Sequence, residues 1–450
     1  MYINRNRFIF NCIYSLIFVI FFLFIIINFN WKLAASLSIL LLIISILYLK
    51  YSYDMNIISY STIFLLCMWL FYCGQIMNYA FEFKGTNYLF FINYGTEQSC
   101  YAAFIFYFIS QFLLTLYIGK SYIKEKQIHD NSIIMFRNLP LVLFIIGIIP
   151  RLYYDLSFLK YGLKYGYHGT AIYIPQFINT LAYFADIGIL LEIVQLKKNK
   201  EATLLLIISL VYKGIMMMSG DRAEAFCFVI IEIYIYFFID KAIKLKKMIL
   251  YIVIGYVSVS FIMSIGNLRG TAFQSIPIFI STFLKNLRGG FICDMFGEFG
   301  STFTTLVKTI NDTPCQVHYG YGLSYIAGII SIIPSLVSEI PILSNMTTYI
   351  TQYHNVSSFG GAFLGELFYN FSWFGLFAIP IIGKCIGRVS ASFDKLRLHT
   401  MINDRAIISL VVSVPLLLFI RGYFSDMTQK IVWVLLFIYF IVSLKDNKKI

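Results

Sequence analysis

Four arginines and three acid–base side chains stand out in a 450-residue chain that otherwise avoids charge. Arg222, Arg269, Arg288 and Arg421 each adjoin a glycine or lie one residue from it, in "SGDRAE", "GNLRG", "LRGG" and "IRGYF". A guanidinium presents a planar fork of donors that fits phosphate oxygens and stays charged, and glycine lets backbone amides approach a bulky anion. Together the four describe a cluster holding an anionic lipid head group. Taken singly, each also fits a helix-end arginine that snorkels to lipid phosphate or pairs with an acid such as Asp221 or Asp426.

The acid–base set is Glu366 in "GGAFLGELFYNFSWFG", Glu298 in "MFGEFGST" and His354 in "TQYHNVSS". A glutamate in an apolar segment normally faces protein or a water-filled cavity, so Glu366 is a functional candidate whose other reading is a buried hydrogen bond to a neighbouring helix. His354 can take or give a proton near neutral pH. Asp155, Asp186, Glu192, Lys213 and Glu232 also fall within or beside apolar segments, with partners that spacing does not assign.

Other chemistry finds no pattern. His129, His168, His318, His354 and His399 are scattered without metal-ligand spacing, so a metal-independent, cofactor-free reaction is expected. There is no P-loop, no GxGxxG after a strand and no GxSxG elbow. Cys12, Cys67, Cys73 and Cys227 read as small apolar packing residues. Cys293 and Cys315 share the longest loop, where a disulfide is one alternative and two free thiols the other.

The elements that position these residues follow from composition. The chain is 59% hydrophobic and 13% charged, with a mean hydropathy of +0.78. Soluble domains are about 25% charged. Apolar runs of about 18 residues or more recur throughout, which indicates transmembrane helices rather than barrel strands. The expectation is an all-α polytopic membrane protein, residues 1–450 forming one membrane domain. Twelve spans are expected, at about 8–28, 33–49, 57–77, 100–118, 138–155, 176–196, 201–218, 225–240, 248–265, 361–383, 406–420 and 430–444. The first, after "MYINRNR", is too long for a signal-peptide core and lacks a small-residue cleavage site.

With both termini cytoplasmic, every inner segment carries Lys or Arg, from Arg5 and Arg7 through Lys197 and Lys244 to Lys448 and Lys449. The net charge of +13 therefore reflects topology, and no nucleic-acid partner is implied. This orientation turns "SGDRAE" and "RGYFSDMTQ" outward. It leaves one large extracytoplasmic loop, 266–360, between spans nine and ten. Within it, 276–288 reads as an interfacial amphipathic helix. The apolar stretch 324–343, broken by Pro334 and Pro341 and holding Glu339, reads as re-entrant or packed on the bundle. Making it a full span would put Lys384 to Arg405 outside. The 34 tyrosines and 45 phenylalanines suit membrane interfaces and add only weak support for a sugar ligand.

Taken in order, "SGDRAE" closing a helix, "GEFGST" and "GYGLSYIAGIISIIPS" in the long loop, and "SSFGGAFLGELFYNFSWFG" before the next span resemble the O-antigen polysaccharide polymerases of the Wzy type. The resemblance covers roughly the second half of the chain; where a "GSRG"-like form is expected, this chain has Gly-Asp-Arg-Ala at 220–223. It implies a glycosyltransferase of the bacterial inner membrane that polymerises undecaprenyl-pyrophosphate-linked repeat units on the outer face. Its implied partners are the lipid-linked donor and acceptor, membrane lipid, and the pathway's chain-length regulator and flippase. Under it, Arg222, Arg269, Arg288 and Arg421 contact the pyrophosphate and sugars, while Glu366, Glu298 or His354 serves the acceptor. Two alternatives are an O-antigen ligase and a lipid-linked oligosaccharide flippase. The long outer loop and outer arginines count against the flippase. A sugar transferase with acidic pairs in its first outer loop is disfavoured because that loop is only "NFNWK".

Overall fold

A computed structural model describes residues 5–83, 91–126, 138–165, 176–196, 199–219, 222–238, 276–333, 361–398 and 404–446, with residues 253, 256, 257, 260 and 264 between them. The elements among these residues are all helices: α1 (Arg5–Ile27), α2 (Trp31–Tyr53), α3 (Tyr60–Ala80), α4 (Glu97–Lys126), α5 (Leu139–Tyr165), α6 (Gln176–Leu196), α7 (Lys200–Ser219) and α8 (Arg222–Phe238). After these come α9 (Ile276–Lys285), α10 (Phe291–Phe299), α11 (Ser301–Asp312), α12 (Leu323–Ile330), α13 (Phe363–Phe371), α14 (Ile379–Leu398), α15 (Asp404–Leu418) and α16 (Phe424–Asp446). Polar caps set the ends of the early helices. The Asn30 side chain accepts from the Lys32 and Leu33 N–H groups, and Ser59 accepts from Thr62.

Eight of the described helices are long and apolar enough to cross a membrane: α1 to α6, the stretch Phe363–Leu396 and the first part of α16. Twelve spans were expected. α7, α8 and α15 are helical where the seventh, eighth and eleventh were placed, but α8 has only 17 residues and α15 only 15. The ninth, 248–265, lies mostly outside the described residues, as do Pro334, Glu339, Pro341 and all of 334–360.

Two segments differ from the expected spans. The tenth is not one continuous α-helix. α13 ends at Phe371, Ser372 takes a left-handed conformation (φ 52°), and a 3-10 stretch, Ser372–Ala378, leads into α14. The twelfth begins at Phe424 rather than 430, because its start bonds to α12 and α13. The Phe424 N–H donates to Glu366 (2.8 Å) and Thr428 to the Gly328 carbonyl (3.0 Å), which accommodates the polar residues that hydropathy assigns to a loop.

The helices are apolar outside and polar inside. On α5, Ile145, Ile149, Leu152 and Leu156 form an exposed stripe at helical spacing, while Arg151 and Asp155 on the other face are buried. α7 repeats this with Leu204, Ile208, Val211 and Ile215 exposed and Lys213 buried. Such inversion suits lipid as the surrounding solvent. α5 and α6 touch backbone to backbone at Gly147, where an added Cβ would sit 2.1 Å from the Ala185 nitrogen. Small residues permit this kind of approach between membrane helices. Gly147→Val is expected to lower stability by about 1–3 kcal/mol, read as a reduced melting temperature in detergent. An unchanged melting temperature would mean the pair is looser than this.

Part of the segment expected as a long loop, 266–360, packs within the bundle. α10 and α11 pack against α3 so closely that a Cβ on Gly300 would meet the Gln75 nitrogen at 2.2 Å. Asn78 Nδ2 donates to the Cys293 carbonyl (2.8 Å), and Gln75 Nε2 to that of Gly297 (3.3 Å). α11 is rich in threonine yet buried at Thr302, Thr304, Thr305 and Thr309. The hydroxyls are satisfied locally: Thr309 donates to the Thr305 carbonyl (2.8 Å) and Thr304 to Gln75 Oε1 (2.6 Å). Cys293 and Cys315 are free thiols.

Candidate active site

One end of the bundle gathers the charge that the sequence scatters. α5 and α7 run toward that end, while α6, α8 and α16 start from it. Arg151 is the hub: Nε donates to Asp155 Oδ2 (2.7 Å), and Nη1 to Asp186 Oδ2 (3.1 Å) and Glu224 Oε1 (3.3 Å). Lys213 Nζ pairs with Asp186 Oδ1, and Lys430 Nζ with Glu224 Oε2 (2.6 Å). Three bases thus meet three acids across five helices. Tyr212 also donates to Asp155. A buried charge is tolerated when it is paired and hydrogen-bonded, and all six residues are buried. Deeper between α7 and α8, Ser209 donates to buried Glu232 (2.7 Å).

A cavity of about 220 Å³ opens onto this network. Asn179 and Thr180 of α6, Ala223 and Glu224 of α8, and Asp426, Gln429 and Lys430 of α16 supply walls; Arg421, Gly422 and Tyr423 come from the α15–α16 loop. Arg222 is the first residue of α8, directly before two cavity-lining positions. Its neighbour Glu224 is acidic because it bridges Arg151 and Lys430, which ties the turn that opens α8 to α5 and α16.

Glu366 lies close by but is fully engaged. Its Oε1 accepts from Ser324 Oγ (2.7 Å) and its Oε2 from the Phe424 N–H (2.8 Å). Asn370 extends the clamp, donating to Ser324 Oγ (2.7 Å) and accepting from the Gly322 N–H (2.9 Å). Glu366 therefore joins α12 and α13 to the start of α16 and holds the loop that carries Arg421. Tyr72 of α3 steadies the same loop by donating to the Ile420 carbonyl (3.3 Å).

Glu298 lies on α10, whose next residue, Phe299, packs on Phe226 of α8 with ring centres 4.9 Å apart. Arg288 is exposed in the turn between α9 and α10, beside Gly289 at φ 101°. Arg269, His354 and Asp221 lie outside the described residues, and so does the Arg222 side chain. The structure thus brings Arg421 and the start of α8 to one cavity, sets Glu366 behind it and Glu298 on a helix beside α8.

Sequence reasoning passed over Arg151 and Lys430. Arg151 carries a usable signal, an acid four residues on within an apolar helix; Lys430 sits at the edge of an expected span. Among the described residues no group of His, Cys, Asp or Glu converges as metal ligands would. The three acids of the network converge on a guanidinium instead.

Fold and site define a multi-pass helical membrane protein with a charged interior beneath a polar cavity. The chain belongs to the O-antigen polysaccharide polymerase Wzy family, whose profile matches residues 9–448, nearly its whole length. It is accordingly an enzyme of polysaccharide polymerisation, of glycosyltransferase type. No curated protein and no solved structure matches it.

Proposed function

We propose that this protein extends a surface polysaccharide by transferring a glycan chain from undecaprenyl pyrophosphate onto the terminal sugar of another lipid-linked repeat unit, at the outer face of a bacterial inner membrane. The observation that carries this reading is the cavity where Arg421 and Lys430 meet the start of α8. The donor's leaving group is a lipid pyrophosphate, and charge develops on it as the glycosidic bond breaks. Pre-positioned cationic donors stabilise such charge with little reorganisation. Arg421 and Arg222 hold the pyrophosphate here, with Arg269 and Arg288 contacting its outer oxygens or the first sugars. The reaction is metal-independent. Glu366, Glu298 or His354 serves the acceptor side, Glu366 from its place behind the Arg421 loop. Flippase and chain-length regulator are partners in the same pathway.

The test is the gel profile of surface glycan from cells lacking the gene. Core carrying a single repeat in place of the ladder is the expected result. Core with no repeat attached would instead identify the ligase or the flippase.

A further inference from the structure

We infer that Asp426 is the base that takes the proton from the acceptor hydroxyl, an inference that rests on the polymerase reading above. The acids of the buried network and Glu366 are committed. Asp155 and Asp186 are held by Arg151, the latter also by Lys213; Glu224 is held by Arg151 and Lys430. Glu366 has a hydrogen bond on each oxygen. Asp426 differs: it is exposed, it lines the cavity, and its carboxylate accepts a hydrogen bond at Oδ2 from the Tyr423 N–H (3.2 Å). That bond is the return half of a capping box, from the third residue of α16 to its N-cap. It uses one lone pair and leaves the carboxylate able to accept a proton.

The charged groups around it complete the chemistry. Arg421 and Lys430 line the same cavity, so the cationic wall for a leaving pyrophosphate and an accessible carboxylate stand in one space of about 220 Å³. Glu224, also in that wall, is neutralised by Lys430 and Arg151. The acceptor hydroxyl oxygen forms a bond to the anomeric carbon of the donor. The bond from that carbon to the pyrophosphate oxygen breaks, and the lipid pyrophosphate leaves with the electron pair. The hydroxyl proton passes to Asp426 and from there to water. The reaction needs no redox partner.

A capping role alone would also explain an acid at 426, and Asp426→Asn separates the two. Asparagine keeps a side-chain oxygen for the Tyr423 N–H but cannot serve as a base. The protein is reconstituted in liposomes with synthetic undecaprenyl-pyrophosphate oligosaccharide, and both lipid binding and elongation are measured. D426N is expected to bind the lipid as tightly as the wild type or more so, and to elongate about 100-fold or more slowly. Formate is expected to restore part of the activity to Asp426→Gly. Elongation by D426N at the wild-type rate would overturn the inference and leave the polymerase reading standing. Loss of lipid binding in step with elongation would overturn it too, because it would make Asp426 a part of the scaffold. No elongation by the wild-type protein would overturn the polymerase reading itself and this inference with it.

Discussion

Arg421→Ala is expected to slow elongation about 100- to 1000-fold, the usual cost of removing one donor that stabilises developing anionic charge. Arg421 is chosen over the other three arginines because its position is supported from several sides. The loop that carries it is held by Glu366 through the Phe424 N–H and by Tyr72 through the Ile420 carbonyl. Its neighbours Gly422 and Tyr423 line the cavity with it. A lysine at 421 keeps the charge but loses the planar fork, so Arg421→Lys is expected to recover only part of the rate. The melting temperature of R421A, read alongside, separates a loss of chemistry from a loss of fold. A fully active R421A would detach the cavity from the chemistry.

Arg151→Met is expected to destabilise the protein by about 3 kcal/mol or more, since removing one partner of a buried ion cluster leaves the opposite charge uncompensated. Arg151 faces three carboxylates, and among the described residues it is the base paired with Asp155. Asp186 and Glu224 keep Lys213 and Lys430, which limits the loss. Adding Asp155→Asn to R151M removes the least compensated charge and should recover part of the stability. Thermal unfolding in lipid nanodiscs reads both effects. Wild-type stability in R151M would mean that the network is hydrated and that its charges are screened.

These two expectations differ in how far the sequence foretells them. "IRGYF" is conspicuous because arginine on a turn expected to face outward runs against the positive-inside trend. Arg151, by contrast, sits inside an apolar run where local pattern records it only as a cost. Its meaning lies in Asp186 and Glu224, 35 and 73 residues away, and such pairings are set by how α5, α6 and α8 pack. Most helices were legible because lipid demands long apolar runs, and α1 to α6 stand where those runs are. The start of α16 was misplaced for the converse reason. Asp426, Gln429 and Lys430 lower the hydropathy of a stretch that lines a polar cavity rather than facing lipid. α11 was hidden in the same way: threonines read as polar, yet their hydroxyls are satisfied by the helix's own carbonyls and by Gln75, so the helix packs inside. Glu366 stands out in the sequence as an acid in an apolar segment, and the structure places it buried with a hydrogen bond on each carboxylate oxygen.

The most direct measurement of the central claim is product length in a minimal reaction. Purified protein in liposomes is supplied with undecaprenyl-pyrophosphate repeat units alone, without lipid A core, nucleotide sugar or other protein. The account predicts lipid-linked chains that lengthen by whole repeats, with one undecaprenyl pyrophosphate released per bond formed. Folded protein that leaves every repeat unit at its starting length would contradict it.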